Sequence, residues 1–347
     1  MSGRSFFIDR AIGETRGVVT LDGRPERLLI AREGGDPMLA VGARGVARVR
    51  KVDRALATAF LELAGGATAV LGLKPEGERL TEGQAVEIEI RSEPRHLKSA
   101  NARFIGPAEG APRLIEAAPG IEAELRALAK DGKLVEGFGA REAADEAEAE
   151  ALEIVHPLPG GGSIAIEETR ALIAIDVDVG ERAGSDSKRV TRAANLAALS
   201  SGARLLRLKG LGGLVVFDLA GRGHDGAAIL AAARAAFGPD NPGVAISPIS
   251  RFGTMELTVP RRRRPVLELL RGERGGVSAL TAGLRLLRMM EREGRASPGA
   301  RLLATCNPAV AQAVKPYEAV LADKLGGRFE IIGKEGFPTD RLEVTAR

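Results

Sequence analysis

Two apolar runs, each carrying an acid near its end, constrain this chain more than any other feature. ALIAIDVDVG contains Asp176, and GLGGLVVFDLAG contains Asp218. A carboxylate inside an apolar strand is costly to bury unless it is paired or holds a metal. The period of two puts Leu172, Ala174, Asp176 and Asp178 on one strand face, and Ile173, Ile175, Val177 and Val179 on the other. The second face is therefore core, and both acids of the first strand project from the same side. Between the two runs, Leu196, Leu199, Ala203 and Leu206 recur at helical spacing, which predicts a helix over 188–208 with a basic outside. Strand, helix, strand predicts a right-handed crossover that brings Asp176 and Asp218 to one sheet edge, where open α/β sheets place ligands. Residues 214–217 are continuously apolar, as in a sheet covered on both faces.

Upstream, SFFID, GVVTL and RLLIA alternate with turns, and Asp22-Gly23 is a hairpin signal. Four short strands are predicted at 46–52, 56–63, 67–73 and 85–91, a spacing that suggests a small barrel of the oligonucleotide-binding (OB) type. Basic residues at 44–54 and 91–103 could form a nucleic-acid face with Phe60 as a stacking ring. The alternative is that Phe60 belongs to the core and the charges are solvated edges. From 141 to 153 the sequence REAADEAEAEALE is almost wholly acid and alanine, and reads as a solvated helix or a linker, unsuited to nucleic acid.

Downstream of Pro157-Leu-Pro-Gly-Gly-Gly162, a sharp break, SIAIEE is a predicted strand. After the crossover, a helix over 227–237 and strands over 244–249 and 254–259 follow. Arg261 to Arg264 is either a solvated or a phosphate-contacting run. A helix over 277–293 precedes a small α/β unit with strand LLATC, one helix from Pro308 to Leu325 capped by Asn307, and strands FEII and LEVT. Cys306 sits in an apolar run and reads as core.

Composition removes several chemistries. A single Cys excludes an internal disulfide and a multi-cysteine zinc site. Charges interrupt every apolar run, so no membrane span is expected, and the charged N-terminus is no secretory signal; a cytoplasmic protein is expected. His96, His156 and His224 lack metal-ligand spacing, and GLGGL precedes its strand rather than following it, so it is no nucleotide loop. Two strand-end aspartates suit a hydrated Mg²⁺, which favours oxygen ligands and polarises phosphodiesters. The competing reading is two acids that cap helices or pair with arginines.

The pieces PGGGSIAIEETRALIAIDVD, Asp186 followed by Asn195-Leu196, LRLKGLGGLVVFDL and ISPISRFGTMEL resemble, in order and spacing, the catalytic region of the RNase E/G family of bacterial endoribonucleases. The resemblance implies that Asp176 and Asp218 bind the catalytic Mg²⁺, with Mn²⁺ as the alternative ion. Asp178 stands where the family has an asparagine that orients the scissile phosphate. Arg251 falls on the family's backbone-contacting arginine. More weakly, 37–106 resembles the family's S1 barrel, with Phe60 on its stacking aromatic, an aliphatic residue near Val70 on the second, and Lys98 as a basic contact. Arg189, Arg192 and Asn195, with the other basic residues of 189–209, are expected on the RNA as well.

The implied organisation is an N-terminal β element (1–36), an S1/OB-type barrel (37–106), a reduced linker or acidic helical segment (107–158) with a short helix at 121–128, an α/β DNase I-like catalytic domain (159–275) and a small α/β C-terminal domain (276–347). The 5′-monophosphate sensor and most of the family's RNase H-like subdomain are not recognisable. LLRGERGG stands at 269–276 where the family has its CPxC zinc motif, so no zinc and no zinc-linked dimer is expected, only a monomer or weak oligomer. The functional expectation is a Mg²⁺-dependent endoribonuclease acting on single-stranded RNA without need of a 5′-monophosphate. The alternative is a catalytically weak or inactive RNA-binding relative associated with rRNA or ribosomes.

Overall fold

The computed structural model describes residues 3–74, 79–95, 98–130, 132–181, 186–238, 243–272 and 275–347. His96, the loop glycine Gly184 and residues 273–274 of the LLRGERGG stretch lie outside the described residues.

The N-terminal meander comprises β1 (Arg4–Ala11), β2 (Glu14–Leu21) and β3 (Arg24–Arg32). Asp22 and Gly23 both take positive φ, as a type I′ hairpin turn requires. Next come β4 (Arg44–Asp53), β5 (Thr58–Glu62), β6 (Thr68–Gly72), β7 (Ala85–Ser92) and β8 (Ala100–Pro107). These pair in the order β5-β6-β8-β7-β4, and β4 pairs back onto β5, which closes a five-stranded barrel. Alternation decides its inside: Val86, Ile88 and Ile90 are buried while Glu87 and Glu89 point outward. A short β9 (Arg113–Glu116) adds to β4 outside the closed ring.

The segment read as a linker or acidic helix is folded, and its second helix is packed rather than solvated. It forms α1 (Ile121–Ala129), β10 (Leu134–Val135) and α2 (Phe138–Leu152). β10 pairs in parallel with β1, so this segment and the N-terminal strands make one sheet in the order β10-β1-β2-β3. Phe6, Ile8 and Val19 face α1, while Val18, Leu28 and Ile30 face the core that contains α2. Residue composition hid the packing stripe of α2, which is Ala140, Ala144, Ala147 and Ala151, all buried at helical spacing. Its acid Glu148 is buried too, among Arg16, Arg285 and Arg288.

The central sheet contains β11 (Val155–Pro157), β12 (Ser163–Glu168), β13 (Ile173–Asp178), β14 (Gly213–Asp218), β15 (Ala245–Ile246) and β16 (Thr254–Val259), ordered β11-β12-β13-β14-β16-β15. Helices α3 (Ser187–Lys209) and α4 (Gly226–Phe237) cross between its strands. Only β13 and β14 are parallel; the other pairings are antiparallel. Ile175, Val215, Phe217 and Leu257 face the helices, and Phe217 meets Phe237 edge-on at 6.3 Å between ring centroids. The expectation of two covered faces fails: Leu214 is 42% exposed, and the face that carries Asp176 and Asp218 is open. Strand pairing beyond Ile246 stops short of the expected 244–249, as Pro248 lacks a ladder donor.

The chain ends with α5 (Val266–Leu270), α6 (Ala279–Ala296), β17 (Leu302–Cys306), α7 (Pro308–Val314), α8 (Glu318–Leu325), β18 (Phe329–Gly333) and β19 (Glu343–Ala346). The helix expected over 308–325 is two helices, because Pro316 removes a helical donor and a 3₁₀ turn at Lys315–Tyr317 takes its place. Ile12 of the N-terminal sheet enters the core of this last unit, beside Leu284, Leu287 and buried Cys306.

Candidate active site

Asp176 and Asp218 are direct register partners across the parallel β13–β14 pair. Neighbouring strands lie about 4.8 Å apart, so two like charges stand side by side on an exposed face. Neither carboxylate forms an ion pair or hydrogen bond with another described residue. The capping reading belongs to other acids: Asp186 caps α3 by accepting from the Lys188 and Arg189 amides, and Asp225 caps α4 through the Ala228 amide. Asp178 is exposed on the same face and accepts the Gly180 amide at 3.0 Å. Gly162 packs beneath it, since a Cβ there would lie 2.3 Å from the Asp178 carbonyl oxygen. Among the described residues no group of three or more His, Cys, Asp or Glu converges as a closed metal cage. The donor set is thus two unpartnered carboxylates open to solvent, which fits a hydrated hard cation held by one or two protein oxygens.

The third neighbour of the pair is β16. Thr254 is the register partner of Asp218, and the turn Ser250–Gly253 leads directly into it. Ser250 organises that turn: its carbonyl accepts the Gly253 amide at 3.1 Å and its Oγ accepts the Phe252 amide at 3.2 Å. Ser250 Oγ and Thr254 Oγ1 also lie 2.8 Å apart, and the Leu219 amide reaches the Gly253 carbonyl. Gly253 has φ +91°, a conformation that excludes other side chains without strain. Arg251 stands over the Phe252 ring at 4.8 Å, next to the acid edge. His224, on the loop after β14, has a buried Nε2 without a described partner, close against Gly253. The sequence analysis gave Ser250, Phe252, Thr254 and His224 no role at the site, because their proximity to Asp218 arises from antiparallel pairing between β14 and β16.

The basic outside of α3 divides. Lys188, Arg189 and Arg192 are exposed at its N-terminus, which follows the acid-bearing strand. Arg204 instead bonds Glu150 and the Pro25 carbonyl, Arg207 bonds Glu26, and buried Lys209 donates to the Ala151 and Glu153 carbonyls. Those three face α2 and the N-terminal sheet, and cannot meet RNA as expected. Asn195 is a further correction. It is fully buried, with both side-chain ends spent on the Ala220 backbone at 3.0 Å. It fixes the loop after Asp218 and offers no exposed atom on this face.

On the barrel, Phe60 points outward at 37% exposure, with Lys51 above its ring at 5.9 Å, so the core alternative is excluded. Val70 pairs with both Phe60 and Asn101, and exposed Lys98 lies nearby on the same cleft wall. Much of the expected basic face is neutralised: Arg44 pairs with Glu87 and Glu116, Arg50 with Glu62, and Arg91 and Arg103 with Glu89. The arginine run is partly engaged: Arg261 and Arg262 are exposed, Arg263 and Arg264 half-buried. Arg261 donates to the Gly212 carbonyl, Arg263 meets Glu124 and Glu93, and Glu93 also accepts the Arg264 amide. It joins barrel, α1 and central sheet. A cleft of about 1590 Å³ runs between the Phe60 face and the start of β14, where Leu214 and Thr258 line it. The acids lie further along the open face, roughly 13 Å from Leu214 at the usual strand rise.

The family model described as Ribonuclease E/G family matches residues 112–264. The chain is 40% identical over 107 residues to Ribonuclease E of Haemophilus influenzae, which is 30% of this chain and 11% of that protein. It is 35% identical over 115 residues to the chloroplastic Ribonuclease E/G-like protein of Arabidopsis thaliana, 32% of this chain and 12% of that one. Against Ribonuclease G of Salmonella typhimurium it is 30% identical over 179 residues, 49% of this chain and 37% of the relative. The chain thus spans well under half the length of these curated relatives. Its matched segment holds the crossover, both strand-end aspartates and the Arg251 turn, and over that segment the chain is similar to the Ribonuclease E/G family.

Proposed function

We propose that the chain is a metal-dependent endoribonuclease of single-stranded RNA, with its active site at the Asp176–Asp218 edge. The observation that carries this is the in-register pair of exposed, unpartnered carboxylates on adjacent parallel strands. Mg²⁺ held by the two would polarise a phosphodiester and make water a stronger nucleophile at neutral pH. The chain's own residues supply the remainder. Arg251, in the turn that Ser250 organises, would bind a phosphate oxygen, as would Arg189 and Arg192 at the N-terminus of α3, Arg192 from its loose pairing with Asp225. The open face excludes no water, so the site suits an extended strand rather than an enclosed small molecule. Phe60 and Lys98 would hold RNA upstream along the barrel side of the cleft.

The test is turnover. End-labelled single-stranded RNA is incubated with the protein and Mg²⁺, beside a chelator control, Asp176→Asn and Asp218→Asn. Cleavage only in the uninhibited wild type supports the proposal. RNA binding that survives all controls, with no cleavage in any, supports instead an RNA-binding relative without activity. That reading draws on Asp178, whose charge stands where the family carries a neutral amide. No 5′-phosphate sensor is recognisable in the sequence, so monophosphorylated, triphosphorylated and circular RNA should be cut at similar rates. No helix among the described residues is long and apolar enough to cross a membrane.

A further inference from the structure

Phe252 is 78% exposed, more than any other large hydrophobic side chain described. Single exposed apolar residues are ordinary, yet this one is held in place. The Ser250 side chain and carbonyl fix its backbone on both sides, and Gly253 supplies the positive φ that closes the turn. Its ring is covered on one side by the Arg251 guanidinium, at 4.8 Å. The exposure leaves the opposite ring face to solvent. Phe60 on the barrel shows the same arrangement, an outward ring with Lys51 above it.

The position is also constrained. Phe252 is two residues from Thr254, and Thr254 is the register partner of Asp218. Two chain steps plus one strand spacing put the Phe252 Cα within about 12 Å of the Asp218 Cα. A rigid aromatic face with an adjacent cation is the general means of gripping one nucleotide, the ring taking the base and the cation the phosphate. We infer that Phe252 stacks on the base of a nucleotide flanking the scissile phosphate, and so decides where along the strand the acids cut. Arg251 holds the phosphate while the ring sets the register. This rests on the nuclease reading above and adds a positioning residue to it. Ring stacking is tolerant of base identity, so the register it gives depends on an unstacked, accessible base and not on sequence alone.

A substrate–enzyme cycle tests this. An oligoribonucleotide with one mapped cut site is compared with copies that carry an abasic nucleotide at each position around it. Wild type should slow between about 5- and 150-fold on a copy with the base missing at one flanking position, the range for one aromatic stack. Phe252→Ala and Phe252→Leu should slow on the intact RNA by the same factor and show no further loss on that copy, while Phe252→Tyr keeps the wild-type rate. Full additivity of the two losses, or Phe252→Leu equal to wild type, overturns the inference. The cycle is read a second time as binding affinity in an Asp176→Asn background. A wild type that binds RNA without cutting sinks the nuclease reading, and the affinity cycle then still decides for or against the stack.

Discussion

The molecule uses acids in two opposite ways. On the central sheet, Asp176 and Asp218 are exposed, adjacent and unpaired. Between the N-terminal sheet, α2 and α6, the buried acids are ion-paired. Glu148 meets Arg16, Arg285 and Arg288, and Glu14 meets Arg32 and Arg288 at 2.8 and 2.6 Å. Buried ions persist only when every charge is matched, whereas like charges left side by side in solvent are tolerated at small cost and remain free to bind. Satisfaction of the carboxylate, not acidity of the segment, separates the acids that hold the fold from the acids offered to a ligand.

That contrast can be broken most directly at the sheet edge. Asp176→Asn or Asp218→Asn should lower cleavage by ~10³-fold or more, while stability in urea stays within about 0.5 kcal/mol of wild type. A loss of stability instead of activity would place the pair among the structural acids. Glu148→Gln should do the reverse. It leaves Arg16, Arg285 and Arg288 undercompensated, and chemical denaturation should reveal a loss of about 3–5 kcal/mol, with the activity of the folded fraction intact.

The same residue gives a pH signature. Burial pushes the Glu148 carboxyl up, but Arg285, Arg288 and Arg16 together outweigh it and hold it below the usual glutamate range. A carboxylate lowered in the folded state stabilises fully above its unfolded value and loses that contribution as pH falls through the folded one. Wild-type stability should therefore fall on acidification below about pH 4.5, with a shallower fall in Glu148→Gln. On the barrel, Phe60→Ala should weaken RNA affinity by about 5- to 100-fold, read by filter binding, if its ring stacks a base. The smallest effect belongs to Asp178→Asn. One charge about 7 Å from a phosphate in water amounts to ~0.6 kcal/mol, so cleavage should rise by about threefold at saturating Mg²⁺.

Some of this was legible from residue order. The β13–α3–β14 crossover, the shared strand face of Asp176 and Asp178 and the short strands of the barrel follow periodicities of two or 3.6 that a local window contains, and buried Cys306 follows from its apolar run. The misreadings have one cause. Residues 141–153 looked like a solvated linker because their charges were counted without their partners, which lie as far away as Arg285. Arg204, Arg207 and Lys209 looked like an RNA surface for the same reason, and Asn195 looked like a ligand contact when the Ala220 backbone had claimed it.

By itself the sequence determined the core face of the first acid-bearing strand, the existence of most of the helices, and that two acids end apolar strands. These are properties of neighbours along the chain. Only the tertiary structure decided that those acids stand in register with no cation among the described residues to pair, that the face beneath them is uncovered, and that the Phe252 turn leads into the strand beside Asp218. Each depends on a strand pairing or a charge partner brought from far along the chain, and burial assigns such partners only once the core has closed.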